Sequence, residues 1–591
     1  MKQYFYLTAV LLTAFYFRTV LGLSWDEGSQ LHPDERFLTM VTGVLKLPGS
    51  WSEYLNSDTS KLSPYNNNYS FFVYGTFPIF LCRYVWALMH DLRIESVGRV
   101  LSSIADIATI FMVFVVGRRL FSTAVGLLSA TLLALCVQNI QLSHFYGVEN
   151  FVALFVLITF YFTIVIREHK DPLKQIPYAA LTGVFLGLAL SSKVSALFFL
   201  PIIGISLLEY ESISFFQRII KCDPFWKGWN CWQVFTKITC FFFILGFAFL
   251  SFRIFQPYSF KTGKLYALSD QFLKNMAEIK GLMAGADFPP SIQWVDRDPF
   301  WFNLYNMLWF QMSPAMFMAC FAGIILAIYK VYTRKEDKLF SIILWVLFFF
   351  SYQTCQFVKA GRYFSIIYPF LTLLGGYFIC EAMKLSEKKS FKINIASIFI
   401  VPTLLWAIAF TNIYRKPVSR ISASRWMFDN IPCGTVVANE TWDDPMPMRV
   451  DGKDPFGGCY RGLEFNHYWP DDKKKLNDTL TKLEATSYII LSSNRLFESI
   501  PRLPHRFPFT IEYYKMLFDG RLGFNMVHEE HSYPNIFGVE FSTASAEETF
   551  TVYDHPTVYI FKKNNLFDIN KVTQHFSEYP DGVLEPLVKR G

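Results

Sequence analysis

The chain has 591 residues, of which 52% are hydrophobic and 18% aromatic but only 17% charged. With a mean hydropathy of +0.27, this composition excludes an ordinary soluble multidomain protein and is typical of a polytopic membrane protein. The formal charge of +7 raises the question of nucleic acid. Because the Lys and Arg residues are spread through loops between apolar stretches, we take the charge as a topology signal and expect no nucleic-acid partner.

The first apolar stretch, Tyr4 to Leu23, is interrupted only by Arg18 and is about long enough to cross a bilayer. A cleaved signal peptide is the alternative interpretation. The stretch is long, no small-x-small cleavage site follows it, and many further apolar stretches come later, so the sequence favours a retained helix.

Adjacent carboxylates follow this span in His32-Pro33-Asp34-Glu35-Arg36-Phe37. Pro33 disfavours helical geometry at His32, so the two acids are predicted to lie on a short rigid bend, where a membrane enzyme could place a base. Taken alone, such a pair is equally typical of a solvated flank beside a membrane segment. Asp26-Glu27, a few residues closer to the span, fits that second interpretation better.

About eleven spans are predicted when hydropathy is combined with loop charge. After the first span they cover approximately residues 101–117, 122–141, 150–166, 177–191, 194–209, 237–255, 311–331, 339–357, 363–383 and 393–412. The segment Phe71 to His90 is interpreted as an amphipathic helix lying on the membrane, because a crossing there would move the basic loops to the outer side. Those loops carry Arg118, Arg119, Arg167, Lys170, Lys174, Arg218, Lys221, Lys227, Lys330, Arg334, Lys335, Lys338, Lys384, Lys388, Lys389 and Lys392.

The predicted domains are a transmembrane domain, residues 1–412, and an extracytoplasmic domain, residues 413–591. The first contains outer loops at 24–99 and 256–310, the latter with a helix at Asp270 to Met283 and a break at Pro289-Pro290. In the second, short apolar runs alternate with helix-like segments, which predicts a small α/β domain. The runs are Thr435 to Ala438, Tyr488 to Leu491 and Val558 to Phe561, and the helical segments are Asp472 to Ala485 and Thr510 to Phe518.

The ten cysteines form no CxxC and no Cys/His spacing, so no metal site is indicated. Two of them, Cys433 and Cys459, are the only cysteines of the C-terminal domain. An outer location favours a disulfide, but two free thiols remain the alternative because sequence alone does not give their distance.

On this topology the first outer loop and the short turns around Glu149, Lys193 and Arg362 open on one face. Each base taken singly is as well explained by an interfacial anchor. Jointly, they predict a site where an anionic lipid head group lies beside a carboxylate base.

At this point the sequence resembles a known family group. Asp34-Glu35-Arg36-Phe37 is similar to the acidic run in the first outer loop of the lipid A aminoarabinose transferases, and protein O-mannosyltransferases carry a related Asp-Glu pair. Thr76 stands near the position of a lysine in the aminoarabinose transferases. Further matching segments, spread over residues 1–412, are Tyr74-Gly75-Thr76-Phe77-Pro78, Gly98-Arg99, His144 to Asn150, Ser192-Lys193 and Gly361-Arg362-Tyr363.

The resemblance implies a GT-C class glycosyltransferase that is mainly α-helical and takes a sugar from a polyprenyl-phosphate donor. It implies Asp34 as general base with Glu35 beside it, and Arg99, Lys193 and Arg362 as ligands of the donor phosphate. Substrate contacts are expected from His32, Arg36, Tyr74, His144, Glu149 and Tyr363. No cofactor is required.

The acceptor is expected to be a lipid, a glycan or a protein, and the location a bacterial plasma membrane with the site on its outer face. Two other functions stay open, a transporter or flippase and a non-catalytic scaffold for envelope assembly. A transporter should carry charges along its spans, where the chain has chiefly Arg18, Asp106 and Arg253.

Overall fold

The computed structural model describes residues 2–89, 91–169, 171–208, 231–385 and 387–588. Helices dominate the first three quarters of the chain. They are α1 Lys2–Phe15, α2 Pro33–Val44, α3 Trp51–Leu55, α4 Thr76–Leu88, α5 Ile94–Leu120, α6 Thr123–Ala134, α7 Val137–Ser143, α8 Glu149–Glu168, α9 Pro172–Leu190, α10 Leu200–Leu207, α11 Cys231–Phe255, α12 Asp270–Met283, α13 Pro299–Asn306, α14 Pro314–Tyr332, α15 Phe340–Thr354, α16 Tyr368–Met383, α17 Lys389–Thr411 and α18 Ser419–Asn430.

The chain is an integral membrane protein. Within the described residues, six helices are long and apolar enough to cross a membrane: α5, α8, α9, α11, α14 and α17. A seventh span results if α6 and α7, which meet at 59°, cross together. The predicted count of eleven spans is therefore not confirmed.

Helix length explains the difference in span count. The apolar stretches predicted at the N-terminus and at 339–357 and 363–383 form α1, α15 and α16, of 14, 15 and 16 residues. A free-standing span needs about 20 residues. Of the predicted basic loops, Lys170, Arg218, Lys221 and Lys227 lie outside the described residues.

The loop predicted at residues 24–99 contains α2, α3 and α4. The segment predicted to lie on the membrane forms α4, which has 13 residues and buries Thr76, Pro78, Ile79 and Cys82. In the second loop, α12 spans the predicted Asp270–Met283 and begins at Ser269, whose side chain accepts a hydrogen bond from the backbone N–H of Phe272. The predicted helix in this loop is thus confirmed.

A small α/β region follows the helical bundle. Its strands are β1 Val436–Glu440, β2 Arg461–Phe465, β3 Tyr488–Leu491, β4 Phe524–Glu530, β5 Asn535–Ile536, β6 Val539–Glu540 and β7 Val558–Lys563, and its helices are α19 Lys473–Ala485, α20 Pro508–Phe518, α21 Glu548–Thr551 and α22 Ile569–Ser577. Five strands form one sheet in the order β2-β1-β3-β7-β4. β1 pairs in parallel with β2 and β3, and β7 pairs antiparallel with β3 and β4.

A disulfide joins Cys433 to Cys459. These residues precede β1 and β2, the two strands that pair in parallel at one edge of the sheet. The disulfide prediction is confirmed, and the bond ties the start of the edge strand to the start of its neighbour.

Candidate active site

The site begins at the N-terminus of α2. The non-helical geometry predicted for His32 is confirmed, whereas Asp34 and Glu35 lie in the first turn of the helix rather than on a separate bend. His32 has extended backbone angles, φ −81° and ψ 117°, and is the N-cap, while Pro33 is the first helical residue. Nδ1 of His32 accepts a hydrogen bond from the backbone N–H of Glu35 at 3.3 Å. Burial lowers the pKa of His32 to about 4, so the ring is neutral and its proton is on Nε2.

Asp34, in the first turn of α2, forms an ion pair with Arg362. Its Oδ2 lies 2.5 Å from Nη1 of Arg362, and the side chains keep 28% and 18% of their surface exposed. Burial opposes ionisation of Asp34, but Arg362, His32, a hydrogen bond from the Tyr74 hydroxyl and Lys193 together hold its pKa below the usual value. The carboxylate is therefore ionised at neutral pH.

A second ion pair lies beside the first. Nζ of Lys193 is 3.1 Å from Oε1 of Glu149, which is the first residue of α8. Lys193 also lies over the ring of Tyr363, 4.4 Å from its centroid. Glu149 in addition accepts a hydrogen bond from the backbone N–H of Val148, the N-cap residue of α8. Its carboxylate is therefore held both by the backbone and by the lysine.

Backbone contacts bring these distant segments together. The N–H groups of Gly75 and Phe77 donate to the carbonyls of Ser192 and Ser191, each at 3.1 Å. A Cβ on Gly75 would lie 2.0 Å from the carbonyl oxygen of Ser191, closer than any contact allows. Glycine at 75 therefore lets the segment carrying Tyr74 lie directly against the turn carrying Lys193.

The acids of both ion pairs, Asp34 and Glu149, line one small cavity together with Arg362, and its volume of about 10 Å³ is room for about one water molecule. Five of the residues predicted from sequence line it together with apolar side chains and a glycine. The lining consists of His32, Asp34, Leu38, Tyr74, Leu142, Phe145, Gly147, Val148, Glu149 and Arg362. Of the two charged groups that face each other here, the Asp34 carboxylate can accept a hydrogen bond from a hydroxyl group and the Arg362 guanidinium can bind a phosphate.

The C-terminal region also reaches this site, which the sequence did not predict. The ring of Tyr553 lies 4.3 Å from that of His32 and Phe145 lies 4.4 Å from it, centroid to centroid. Burial raises the pKa of Tyr553, and the positive charge of Arg362 opposes part of this rise. No motif marks Tyr553, since only the tertiary fold brings it to His32.

Glu35 and Arg99 lie away from the cavity, in a buried cluster with Asp26. The guanidinium of Arg99 donates to Glu35 at 3.0 Å, to Asp26 at 2.8 and 3.0 Å, and to the carbonyl of Leu23 at 2.7 Å. Its side chain is 1% exposed and both acids are fully buried. All the N–H groups of the Arg99 guanidinium donate to groups inside the protein, so its role in this geometry is structural. We therefore do not assign Arg99 or Glu35 to phosphate binding or catalysis.

His144 and Arg36 also make structural contacts. The ring nitrogens of His144 lie 2.8 and 2.7 Å from the carbonyl oxygens of Ile140 and Leu21, and the ring stacks on Tyr414 at 3.8 Å. Arg36 donates to Asp444 of the C-terminal region at 2.7 Å. His144 therefore fixes the end of α7, and Arg36 connects the first outer loop to the sheet domain.

Of the three charged residues that the sequence places inside spans, Arg18 and Asp106 pair with each other, while Arg253 lies over the ring of Phe260 at 4.9 Å. Arg18 lies 2.5 Å from Asp106, and both side chains are fully buried. Arg18 also donates to the carbonyls of Ala134 and Leu133, and Asp106 accepts from Asn139. Within the part of the chain that the structure describes, no group of three or more His, Cys, Asp or Glu is placed to hold a metal ion.

The fold and this site define a polytopic membrane protein of the GT-C architecture. A family model described as dolichyl-phosphate-mannose-protein mannosyltransferase matches residues 77–221, a segment that includes Glu149 and Lys193 but neither Asp34 nor Arg362. The archaeal oligosaccharyltransferase AglB from Archaeoglobus fulgidus, in complex with an inhibitory peptide and a dolichol-phosphate, is similar in structure. Its TM-score is 0.51 at 14% identity, over 95% of this chain and 88% of that one.

Two further solved structures are more distant. ArnT from Cupriavidus metallidurans bound to undecaprenyl phosphate gives a TM-score of 0.45 at 9% identity, over 94% of this chain and 97% of that one. The Pmt1-Pmt2 complex of S. cerevisiae bound to the sugar donor gives 0.32 at 16% identity, over 44% of this chain and 35% of that one. No curated protein sequence matches the chain.

Proposed function

We propose that this protein transfers a sugar from a polyprenyl-phosphate donor to an acceptor hydroxyl. The observation that carries the proposal is the ionised Asp34, which pairs with Arg362 at the wall of a cavity. A second basic residue, Lys193, lies beside this pair. The acceptor hydroxyl attacks the anomeric carbon, Asp34 takes its proton, and the lipid phosphate leaves as an anion. One displacement inverts the anomeric carbon.

Arg362 has two partners in this mechanism. Without donor its guanidinium neutralises Asp34 at 2.5 Å and helps to hold the carboxyl pKa down. A phosphate in the cavity competes for the same guanidinium, since Arg binds phosphate as well as carboxylate. Donor binding therefore loosens the Asp34 ion pair and raises the basicity of the carboxylate when the acceptor is to be deprotonated.

Lys193 and Arg362 bind the donor phosphate in this proposal. A leaving phosphate that is already ionised needs cations rather than a general acid. Glu149 holds Lys193 in place at 3.1 Å, and Tyr74 and His32 surround Asp34. Tyr363, against which Lys193 lies, is placed to contact the donor.

The donor class is supported by the archaeal oligosaccharyltransferase of similar fold, which was solved with a dolichol-phosphate, and by the mannosyltransferase family match over residues 77–221. We place the site and the C-terminal domain on the outer face of a bacterial plasma membrane, because that orientation leaves the predicted basic loops inside. The acceptor is a lipid, a glycan or a protein.

Purified protein in lipid vesicles, incubated with a panel of polyprenyl-phosphate sugars and candidate acceptors, tests the proposal by mass spectrometry. Wild type should consume a donor and form a glycosylated product. Asp34→Asn should bind the donor, but its turnover should be lower than that of wild type by about a hundredfold or more, the size expected for the loss of a general base. Equal turnover by wild type and variant would remove Asp34 from this role.

Donor movement without chemistry is the result expected of a transporter. In that case donor would cross the vesicle membrane unchanged and no glycosylated product would form. The static pairing of Arg18 with Asp106 offers no such path at this point of the bundle, which favours the enzyme.

A further inference from the structure

A hairpin in the C-terminal region has apolar side chains that the described residues leave largely exposed. β5 pairs antiparallel with β6, and the turn between them is Phe537-Gly538. Phe537 is 94% exposed, and Val539 and Phe541, on the following strand and just after it, are 58% and 41% exposed. The three residues form a continuous apolar edge at the tip of the hairpin.

The backbone of the turn makes Phe537 an unfavourable choice unless its side chain has a function. Phe537 has φ +52° and Gly538 φ +82°. A two-residue turn with both φ angles positive strongly favours Asn-Gly, because bulky side chains are disfavoured in the left-handed region. A phenylalanine that strains the backbone, and that the described part of the chain leaves almost fully exposed, indicates an apolar contact outside the chain.

The hairpin lies at the end of a membrane helix. Asn412, just beyond α17, donates from Nδ2 to the carbonyl of Asn535 at 2.6 Å. The ring of Phe541 lies edge-on to Trp406 of α17 at 5.8 Å. Along α17 the exposed apolar side chains Ile398, Val401 and Leu405 follow one another at three- and four-residue spacing, which puts them on one face. The hairpin edge continues this face past the end of the helix.

Polar and aromatic residues mark the same level as a membrane boundary. Arg415 donates to the hydroxyl of Tyr16 at 3.1 Å, and Tyr16, just after α1, is 40% exposed. Aromatic residues such as Tyr16 and Trp406 are enriched where membrane spans meet the head groups, and basic side chains anchor there. The hairpin tip therefore lies beside the boundary between head groups and acyl chains.

We propose that the hairpin, residues 535–541, inserts Phe537 into the bilayer leaflet on the side of the C-terminal domain. The occupant of this apolar edge is lipid, because the edge is continuous with the lipid-facing side of α17. A membrane contact at this point holds the C-terminal domain at a fixed height. Segment 547–555, which follows the hairpin closely, is then held over the site, with Tyr553 on His32.

Photo-crosslinking of the full-length protein in phosphatidylcholine and phosphatidylglycerol vesicles tests the proposal. p-Benzoylphenylalanine replaces Phe537 in one variant and Leu566 in a matched control. Leu566 is 84% exposed and lies beyond the other end of the β4–β7 pair. Irradiation should add the mass of one phospholipid to the 537 variant and leave the 566 variant without adduct. A covalent dimer at 537, equal adducts at both positions, or none at either would overturn the proposal.

Phe537→Asn checks that the tip is not part of the folded core. Asparagine suits the left-handed turn better than phenylalanine, so the variant should unfold in detergent at the same temperature as wild type or higher. In vesicles that contain spin-labelled lipid, the hairpin of this variant should lie farther from the lipid. The Val539 methyl signals should then show less paramagnetic relaxation enhancement than in wild type. A lower unfolding temperature with unchanged relaxation would mean that Phe537 packs within the protein.

Discussion

Asp34 and Glu35 are neighbours in the sequence, yet their carboxylates have different surroundings. Successive residues of a helix point about 100° apart, so when Asp34 of α2 faces the cavity and Arg362, Glu35 faces the interior and Arg99. Burial raises the pKa of Glu35 against the opposing effect of Arg99, while that of Asp34 is lowered. The pKa values of the two neighbouring acids are therefore shifted in opposite directions, and the acid that we propose as the base is the one whose pKa is lowered.

Neutralising Lys193 and neutralising Arg362 should have distinguishable effects on donor affinity and on the pH–rate profile. Lys193→Gln and Arg362→Gln should each weaken donor affinity by roughly 1–3 kcal/mol, the size of a charged hydrogen bond. Arg362 also lowers the pKa of Asp34, so its removal should move the acid limb of the pH–rate profile to higher pH, because the carboxylate then protonates more readily.

Donor titrations and pH–rate profiles measure both effects. Lys261→Gln is the matched control, since Lys261 pairs with the exposed Asp270 on the surface and should change neither quantity. Unchanged donor affinity in both cavity variants would mean that Lys193 and Arg362 are interfacial anchors.

Glu440, at the end of β1, should make stability depend on pH. Burial raises its pKa from 4.5 to about 8, so the folded protein retains a proton that the unfolded chain releases between these values. The contribution of Glu440 to the free energy of unfolding is therefore greatest at low pH and falls as the pH rises from about 4.5 to 8. Glu440→Gln should remove this fall, leaving an unfolding temperature that exceeds that of wild type by more at pH 8 than at pH 5.

Glu464→Gln is the control for this measurement, because Glu464 is an exposed carboxylate on the neighbouring β2. Its unfolding temperature should follow that of wild type at every pH. Parallel curves for wild type and Glu440→Gln would show that Glu440 is ionised in the folded protein.

Sequence reasoning reached some site residues and not others for a physical reason. Asp34, Lys193 and Arg362 were predicted because charged residues at the ends of apolar spans are conspicuous in a sequence, and they lie together in the structure. Arg99 was predicted by the same rule but lies apart from them, and nothing in the sequence shows that Asp26 and Glu35 accept its hydrogen bonds. Tyr553 was missed because its contact with His32 joins residues more than 500 positions apart and follows no pattern.

At the scale of elements, Gly75 joins the segment leading into α4 to the turn after α9. In Gly75→Ala the new methyl would clash with the carbonyl of Ser191, 2.0 Å away, and separate Tyr74 from Lys193. Donor affinity should fall and the unfolding temperature drop, with a loss of about 1–3 kcal/mol typical of overpacking. Thermal unfolding and donor titration measure the two effects.

Gly246→Ala is the matched control within α11, because a Cβ there meets nothing within 4 Å. Alanine should raise helix stability by about 0.5–1 kcal/mol and leave donor affinity as it is. Donor affinity retained in Gly75→Ala would mean that the turn and the loop adjust without moving the site.

The strands predicted from the sequence are the central strands of the sheet, and those missed are its edges. β1, β3 and β7 coincide with apolar runs, and the five-stranded order places β2 and β4 on the two outer sides. β2 and β4 are largely exposed, so their sequences carry polar residues on both faces and no apolar run. Edge strands of this kind escape a search for buried strands.

Across the whole molecule, the predicted count of eleven spans is not confirmed, because the prediction treated each apolar stretch as free-standing. α16, with 16 residues, is buried along most of its length, so other helices rather than lipid surround it. A helix covered by protein does not need the length that a lipid-exposed span needs. Hydropathy alone does not separate the two cases, whereas the packing of the bundle does.

The helical bundle and the sheet domain are joined through buried Asp554. Its carboxylate accepts hydrogen bonds from Gln141 at 3.0 Å and Tyr414 at 2.7 Å in the bundle, and from Nδ1 of His555 at 2.5 Å. These bonds hold segment 547–555, which places Tyr553 on His32. In Asp554→Asn the new NH₂ group faces hydrogen-bond donors that need an acceptor, and losing a buried hydrogen bond to a charged group costs about 1.5–3 kcal/mol.

Hydrogen exchange and turnover together measure whether this contact couples the two parts. In Asp554→Asn the amides of 547–555 should exchange faster while those of β1 and β3 stay protected, and turnover should fall because His32 loses the Tyr553 ring. Asp451→Asn is the control, since Asp451 is more than half exposed and pairs with Arg425 on the surface, and both readouts should stay at wild-type values. Unchanged exchange in segment 547–555 would show that other contacts hold the C-terminal region over the site, and that Tyr553 keeps its position without Asp554.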